Sequence, residues 1–130
     1  YITEYFTGIV WRVTKKIEAD VDVDPNKLNL RSKGNWVTAY IELPRGYDAK
    51  DIDIRTVLLD GIIKAELKPV TIGDMNGNGI PDMMVKFDWA SVKKHIRDDL
   101  GINKGEVTLR VTGDVAGATF EGTDTIGVTS

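Results

Sequence analysis

The sequence predicts a mainly β protein, an antiparallel β-sandwich with one short α-helix. Three observations carry the expectation. Apolar residues recur with period two over seven or eight short segments. Clusters of Gly, Pro, Asn and Asp separate those segments, and only one stretch has helical spacing. At 130 residues without Cys, one domain can bury a sufficient core with no disulfide framework.

Residues 5 to 17 set Ile9, Trp11, Val13 and Ile17 on one side and Phe6 and Val10 on the other, the pattern of a long strand with two apolar faces. Residues 27 to 31 and 36 to 43 follow the same period. In the latter, Val37, Ala39, Ile41 and Leu43 form one face before Pro44-Arg45-Gly46 breaks the chain. VLLDGII places two β-branched runs around Asp60-Gly61, a strong hairpin signal because both residues tolerate the positive φ of a tight turn. MMVKF is a further short strand. Asp88 then caps a helix with Trp89, Val92, Ile96 and Leu100 on its apolar face and a stop at Gly101. In the C-terminal third, Val107, Leu109 and Val111 share one face; after a Gly-containing turn, Phe120, Ile126 and Val128 alternate with threonines. This series fits a sandwich of broadly immunoglobulin-like or cohesin-like type.

Between two of the strands lies DMNGNGIPD. Asp74, Asn76, Asn78 and Asp82 place oxygen-bearing side chains at positions one, three, five and nine, and Ile80 offers its carbonyl at position seven. A hard cation that takes six to eight oxygens needs ligands on alternate residues of a sharply turning chain, and Gly77 and Gly79 relieve crowding there. The plainer reading is a polar Asx/Gly turn; four oxygen donors at this spacing favour calcium. The loop resembles the first nine positions of an EF-hand and, more closely, the calcium loops of dockerins and thrombospondin type 3 repeats. Val85 stands where an EF-hand has its bidentate acid, so the remaining ligands are expected to be water or a distant carboxylate. The wider order of segments from about residue 22 to 128 resembles a module of secreted archaeal and bacterial proteins, which implies an extracellular β-sandwich with a calcium loop. On this basis residues 1–19 are expected to be an N-terminal strand, open to exchange between subunits, and residues 20–130 the calcium-binding sandwich.

The net charge of −3, with basic residues scattered among acids, argues against a nucleic-acid partner. No apolar run is long enough for a transmembrane helix. The start at Tyr1 without a leader suggests a mature secreted form. The lack of Gln and Cys beside abundant charge is a thermophile tendency.

Other constellations are weaker. Asp20, Asp22 and Asp24 alternate with Val21 and Val23, so three carboxylates share one face; a second cation site is possible in principle, and a solvated strand end entering Pro25 is preferred. His95, the single histidine, reads as a surface residue. A Ser-His-Asp triad would have only Ser32, Ser91 and Ser130 to draw on; Ser91 lies four residues from His95 on the same helix, but its simpler role is support of the helix N-terminus. The six Glu select no glycosidase pair, and zinc lacks ligands. Trp36, Tyr40 and Tyr47 are candidates either for a sugar-stacking platform or for packing.

The expectation is therefore a non-catalytic, extracellular, calcium-binding β-sandwich, not an enzyme. It would act as a structural subunit of a filament, sheath or surface layer, with copies of itself as partners in a homopolymer assembled by strand addition. A carbohydrate-binding or adhesion module with a polysaccharide partner is the alternative.

Overall fold

The computed structural model describes residues 15–68, 70–74 and 77–130, together with the backbone of 5–6 and 9–10. In chain order the strands are β1 (Tyr5–Phe6), β2 (Ile9–Val10), β3 (Lys16–Glu18), β4 (Asp20–Asp24), β5 (Lys27–Asn29), β6 (Trp36–Glu42), β7 (Ile52–Leu59), β8 (Ile63–Lys64), β9 (Thr71–Gly73), β10 (Asp82–Asp88), β11 (Gly105–Val115) and β12 (Ala118–Thr129). Helix α1 (Trp89–Lys94) lies between β10 and β11.

Two sheets supply the core. One has the antiparallel order β4-β6-β10-β9; the other runs β3-β12-β11-β7-β8, with β5 also pairing to β12. Both β3 and β5 run parallel to β12, the only parallel pairs among the described residues. Period-two patterning decides which side chains face inward. Val37, Ala39, Ile41, Met83, Val85 and Phe87 from the first sheet, and Val57, Leu59, Leu109, Val111, Phe120 and Ile126 from the second, belong to one buried cluster. Phe87 and Phe120 head the fully buried side chains by volume, and truncating either to Ala would cost about 3–5 kcal/mol.

The expected hairpin at Asp60-Gly61 is present, with φ of 53° and 69° at its two central residues and Ile62 N–H donating to the Leu59 carbonyl. The long strand expected over residues 5 to 17 is broken into pieces. β1 and β2 pair with each other antiparallel, whereas β3 joins the larger sheet of its own sandwich, where Ile17 is buried. Trp11 and Val13 lie outside the described residues. The sandwich thus takes in Lys16–Glu18, a few residues before position 20.

After β3 the chain crosses from one sheet to the other. Ala19 N–H donates to the Glu121 carbonyl, and the next residues pair as β4 with β6. The crossing hugs β12 at Gly122, where a Cβ would stand 2.7 Å from the Ala19 carbonyl oxygen. No side chain fits there, so glycine permits this side of the sandwich to close. Asp124 of β12 completes the closure by accepting from Val23 N–H at 2.8 Å. On the opposite side the edge strands β8 and β9 are short, and Ile62, Leu67 and Ile72 remain exposed nearby.

Candidate metal centre

The expected calcium loop joins β9 to β10, and its sharp course follows from a carboxylate clamp. Asp74 Oδ1 accepts from Asn78 N–H at 3.1 Å and Oδ2 from Gly79 N–H at 2.6 Å, so one side chain folds the loop back on itself. Gly77 and Gly79 take φ of 72° and 83°, which an L-residue with a Cβ would adopt only under strain. Asn78 Oδ1 accepts from Ile80 N–H at 2.8 Å, a second local Asx turn. Asn76 lies outside the described residues.

Asp82 begins β10 in phase with Met84 and Lys86, on the side away from the core, yet it is only 3% exposed. Strand register places Glu42 of β6 directly opposite it, and Asp20 of β4 opposite Glu42 on the other side. Three carboxylates therefore form one row across three adjacent strands. Asn78 Nδ2 donates to Glu42 Oε1 at 2.5 Å, which ties the loop to this row. Glu42 was not among the sequence candidates; only the pairing of β6 with β10 brings it to Asp82, 40 positions away along the chain. Asp74, Asn78 and Ile80 lie on the β9–β10 loop, and Asp82 stands at its end as the first residue of β10.

The outer face beside the row opens into a cleft of about 680 Å³, lined by Asp20, Asp22, Asp24, Glu42, Asp82 and Asp124 among others. The alternation expected for Asp20, Asp22 and Asp24 is realised in β4, each carboxylate exposed and Val21 and Val23 buried. Partial burial, and then the negative charges of Asp124, Asp24 and Asp20, push the Asp22 carboxyl above the ordinary carboxylate range. The cleft is thus a region where added positive charge is favourable.

Among the described residues no three Asp, Glu, His or Cys side chains converge closely enough to hold a metal ion by themselves. A calcium loop does not need such a trio, because amide and main-chain carbonyl oxygens share the coordination. Asp74, Asn78, Asp82 and the Ile80 carbonyl carry oxygens of the hardness calcium takes, and Glu42, bonded to Asn78 and opposite Asp82, adds a carboxylate that sequence spacing does not reveal.

The remaining candidates settle differently. His95 is buried, not a surface residue, at 4% exposure; its two ring nitrogens face Asp99 and Asp60, each at 2.8 Å. Ser91 Oγ donates to Asp88 Oδ2 at 2.8 Å, and Asp88 also accepts from Ser91 N–H, so this serine serves the helix cap as expected. Leu100, expected on the buried helix face, is 40% exposed. Beyond His95 the helix widens, Leu100 N–H donating to the His95 carbonyl, and the extra residue in that turn rotates Leu100 off the apolar stripe. Trp36 and Tyr40 sit on the outward-facing phase of β6, Trp36 exposed and Tyr40 half-buried at the acidic cleft, while Tyr47 packs against the core. No helix among the described residues is long and apolar enough to cross a membrane. No protein-family model matches the chain, and neither a curated protein nor a solved structure matches it.

Proposed function

We propose that this chain is a non-catalytic, calcium-stabilised β-sandwich that serves as a structural subunit of an extracellular filament, sheath or surface layer. The observation that carries the calcium part is the Asp74-clamped loop fastened through Asn78 to Glu42, which stands opposite Asp82. Asp74, Asn78, the Ile80 carbonyl, Asp82 and Glu42 would hold the ion, with Asn76 as a further ligand by its position in the motif. The bound ion would offset the repulsion among the row of carboxylates and pin the β9–β10 loop to the sheet.

A structural role is supported by what the nucleophile candidates already do. The imidazole of His95 spends both nitrogens on carboxylates, and the Ser32 and Ser91 hydroxyls donate to the Asn29 carbonyl and to Asp88. Assembly is supported by the open side of the sandwich, where short edge strands and exposed Ile62, Leu67 and Ile72 offer main-chain and apolar contacts to an added strand. The apolar residues of the N-terminal stretch are the proposed source of that strand.

Sedimentation velocity and electron microscopy of the purified chain, with calcium and with chelator, test the proposal. Regular polymers are expected from the full chain. A chain lacking residues 1–14, which keeps the core residue Ile17, should stay monomeric and bind a peptide of those residues. A full chain that is monomeric at every concentration, with and without calcium, would exclude the subunit role. If that monomer instead binds polysaccharide through Trp36 and Tyr40, the carbohydrate-binding reading replaces it.

A further inference from the structure

His95 occupies a position that the calcium loop does not explain. Its ring is buried between the end of the helical segment and the β7–β8 turn, with Nδ1 on Asp99 Oδ2 and Nε2 on Asp60 Oδ2, both at 2.8 Å. Both partners are carboxylates. Two hydrogen bonds to them require two N–H donors, and only the imidazolium has two; neutral imidazole must turn a lone pair toward one of the carboxylates.

The two acids are not equivalent. Asp60 is held to β11 by two hydrogen bonds, its Oδ1 accepting from Arg110 N–H at 2.8 Å and its own N–H donating to the Arg110 carbonyl at 2.7 Å, and its backbone is fixed in the turn at a φ of 53°. Asp99 is 55% exposed at the end of the widened turn and can exchange the imidazole for water.

We propose that His95 is a proton-dependent clasp between the helical segment and the Asp60-Gly61 turn, closed by the imidazolium and released at Asp99 when the proton leaves. Val92 and Ile96 are fully buried and keep the helix docked, so release is confined to the turn from His95 to Leu100. The charged groups around the ring come from every neighbouring element. Asp99, Asp88 and Lys94 belong to the helix and its cap, Asp60 to the turn, Lys64 and Glu66 to β8 and the segment after it, Arg110 to β11 and Glu121 to β12. Burial by itself would lower the imidazole pKa, but the hydrogen bonds to Asp99 and Asp60 and their charges outweigh it, and the net displacement is upward from the ordinary value. The stabilisation is therefore fully present below the unfolded-state value near 6.5 and is lost as pH rises through the higher folded-state value.

Because the chain has a single histidine, its imidazole C–H resonances can be followed through an NMR pH titration without ambiguity, alongside amide hydrogen exchange over residues 95–100. Wild type is compared with His95→Gln at each pH so that intrinsic base-catalysed exchange cancels. The expected result is a titration above the free-histidine value, with exchange at 95–100 rising several-fold relative to H95Q across that step while amides of β11 stay unchanged. Asp99→Asn should move the midpoint downward and shrink the step; it provides the comparison if H95Q does not fold. A midpoint at or below the free value, or a titration that leaves exchange at 95–100 unchanged, would overturn the clasp.

Discussion

Replacing Asp74 by Ala removes the clamp and a calcium ligand together, and the two losses separate by experiment. Without metal, the loop forfeits two charge-assisted hydrogen bonds, at 3.1 and 2.6 Å, from Asn78 and Gly79 N–H. Both are exposed and compete with water, so together they contribute about 1–2 kcal/mol, less than the ~1.5–3 kcal/mol of a single buried bond to a charged acceptor. With calcium at a hundredfold excess over its dissociation constant, wild type gains a further 2.7 kcal/mol or so. For a chain of 130 residues, an unfolding entropy of roughly 0.27 kcal/mol/K converts that gain into a rise in Tm of about 10 °C. Differential scanning calorimetry in chelator and in millimolar calcium should therefore show wild type moving by about 10 °C and Asp74→Ala starting lower and not moving. Asp74→Asn keeps one acceptor oxygen for the turn but drops the charge. It should fall between the two in chelator and gain little from calcium. A wild-type Tm indifferent to chelator, together with no heat of binding on titration with millimolar calcium, would refute the metal site and leave a plain Asx turn.

Two further substitutions probe the crossing and the cleft. Gly122→Ala should lower Tm in proportion to a loss of about 1–3 kcal/mol, since its Cβ meets the Ala19 backbone carbonyl at 2.7 Å and a main chain cannot swing aside as a side-chain tip can; a neutral result in thermal denaturation would mean the crossing strand has slack. Asp22→Asn should stabilise the calcium-free protein by a few tenths of a kcal/mol up to about 1, by removing one charge from beside Asp20, Asp24 and Asp124, with the gain fading at high salt. The sign with pH follows from the raised folded-state pKa: native Asp22 binds its proton first as pH falls, so wild type recovers stability through that window and the advantage of the Asn variant should close in acid melts. A gain that persists in acid would place its origin elsewhere.

What the sequence revealed was local. The buried face of β6, the Asp88 cap and the Asp60-Gly61 turn each depend on residues within a few positions of one another, so periodicity and turn chemistry suffice to read them. The four oxygen donors of the loop are legible for the same reason. Glu42 was not, because its neighbours are set by the register of β6 against β10, a non-local fact that leaves no trace in spacing. His95 was misread because a lone polar residue between Lys94 and Ile96 looks solvated until the turn bearing Asp60 is folded against it. The N-terminal pattern failed in another way: two apolar faces signal demand for burial but do not specify a partner, and β3 finds its partner in the distant β12.

The crossing at Ala19 also makes the sandwich unequal from side to side. Along β4, Asp124 takes Val23 N–H while Asp20, Asp22 and Asp24 project from the strand, so a second strand approaching that edge would meet a line of negative charge and one donor already in use. The β8–β9 side carries no such barrier among its described residues. Under the proposed strand addition, growth would be vectorial, each added copy having one receptive flank and one refusing flank. Any polymer built this way has distinguishable ends, and because the refusing flank owes its charge to carboxylates, acid or a bridging cation is the condition under which sideways bundling of such polymers would begin.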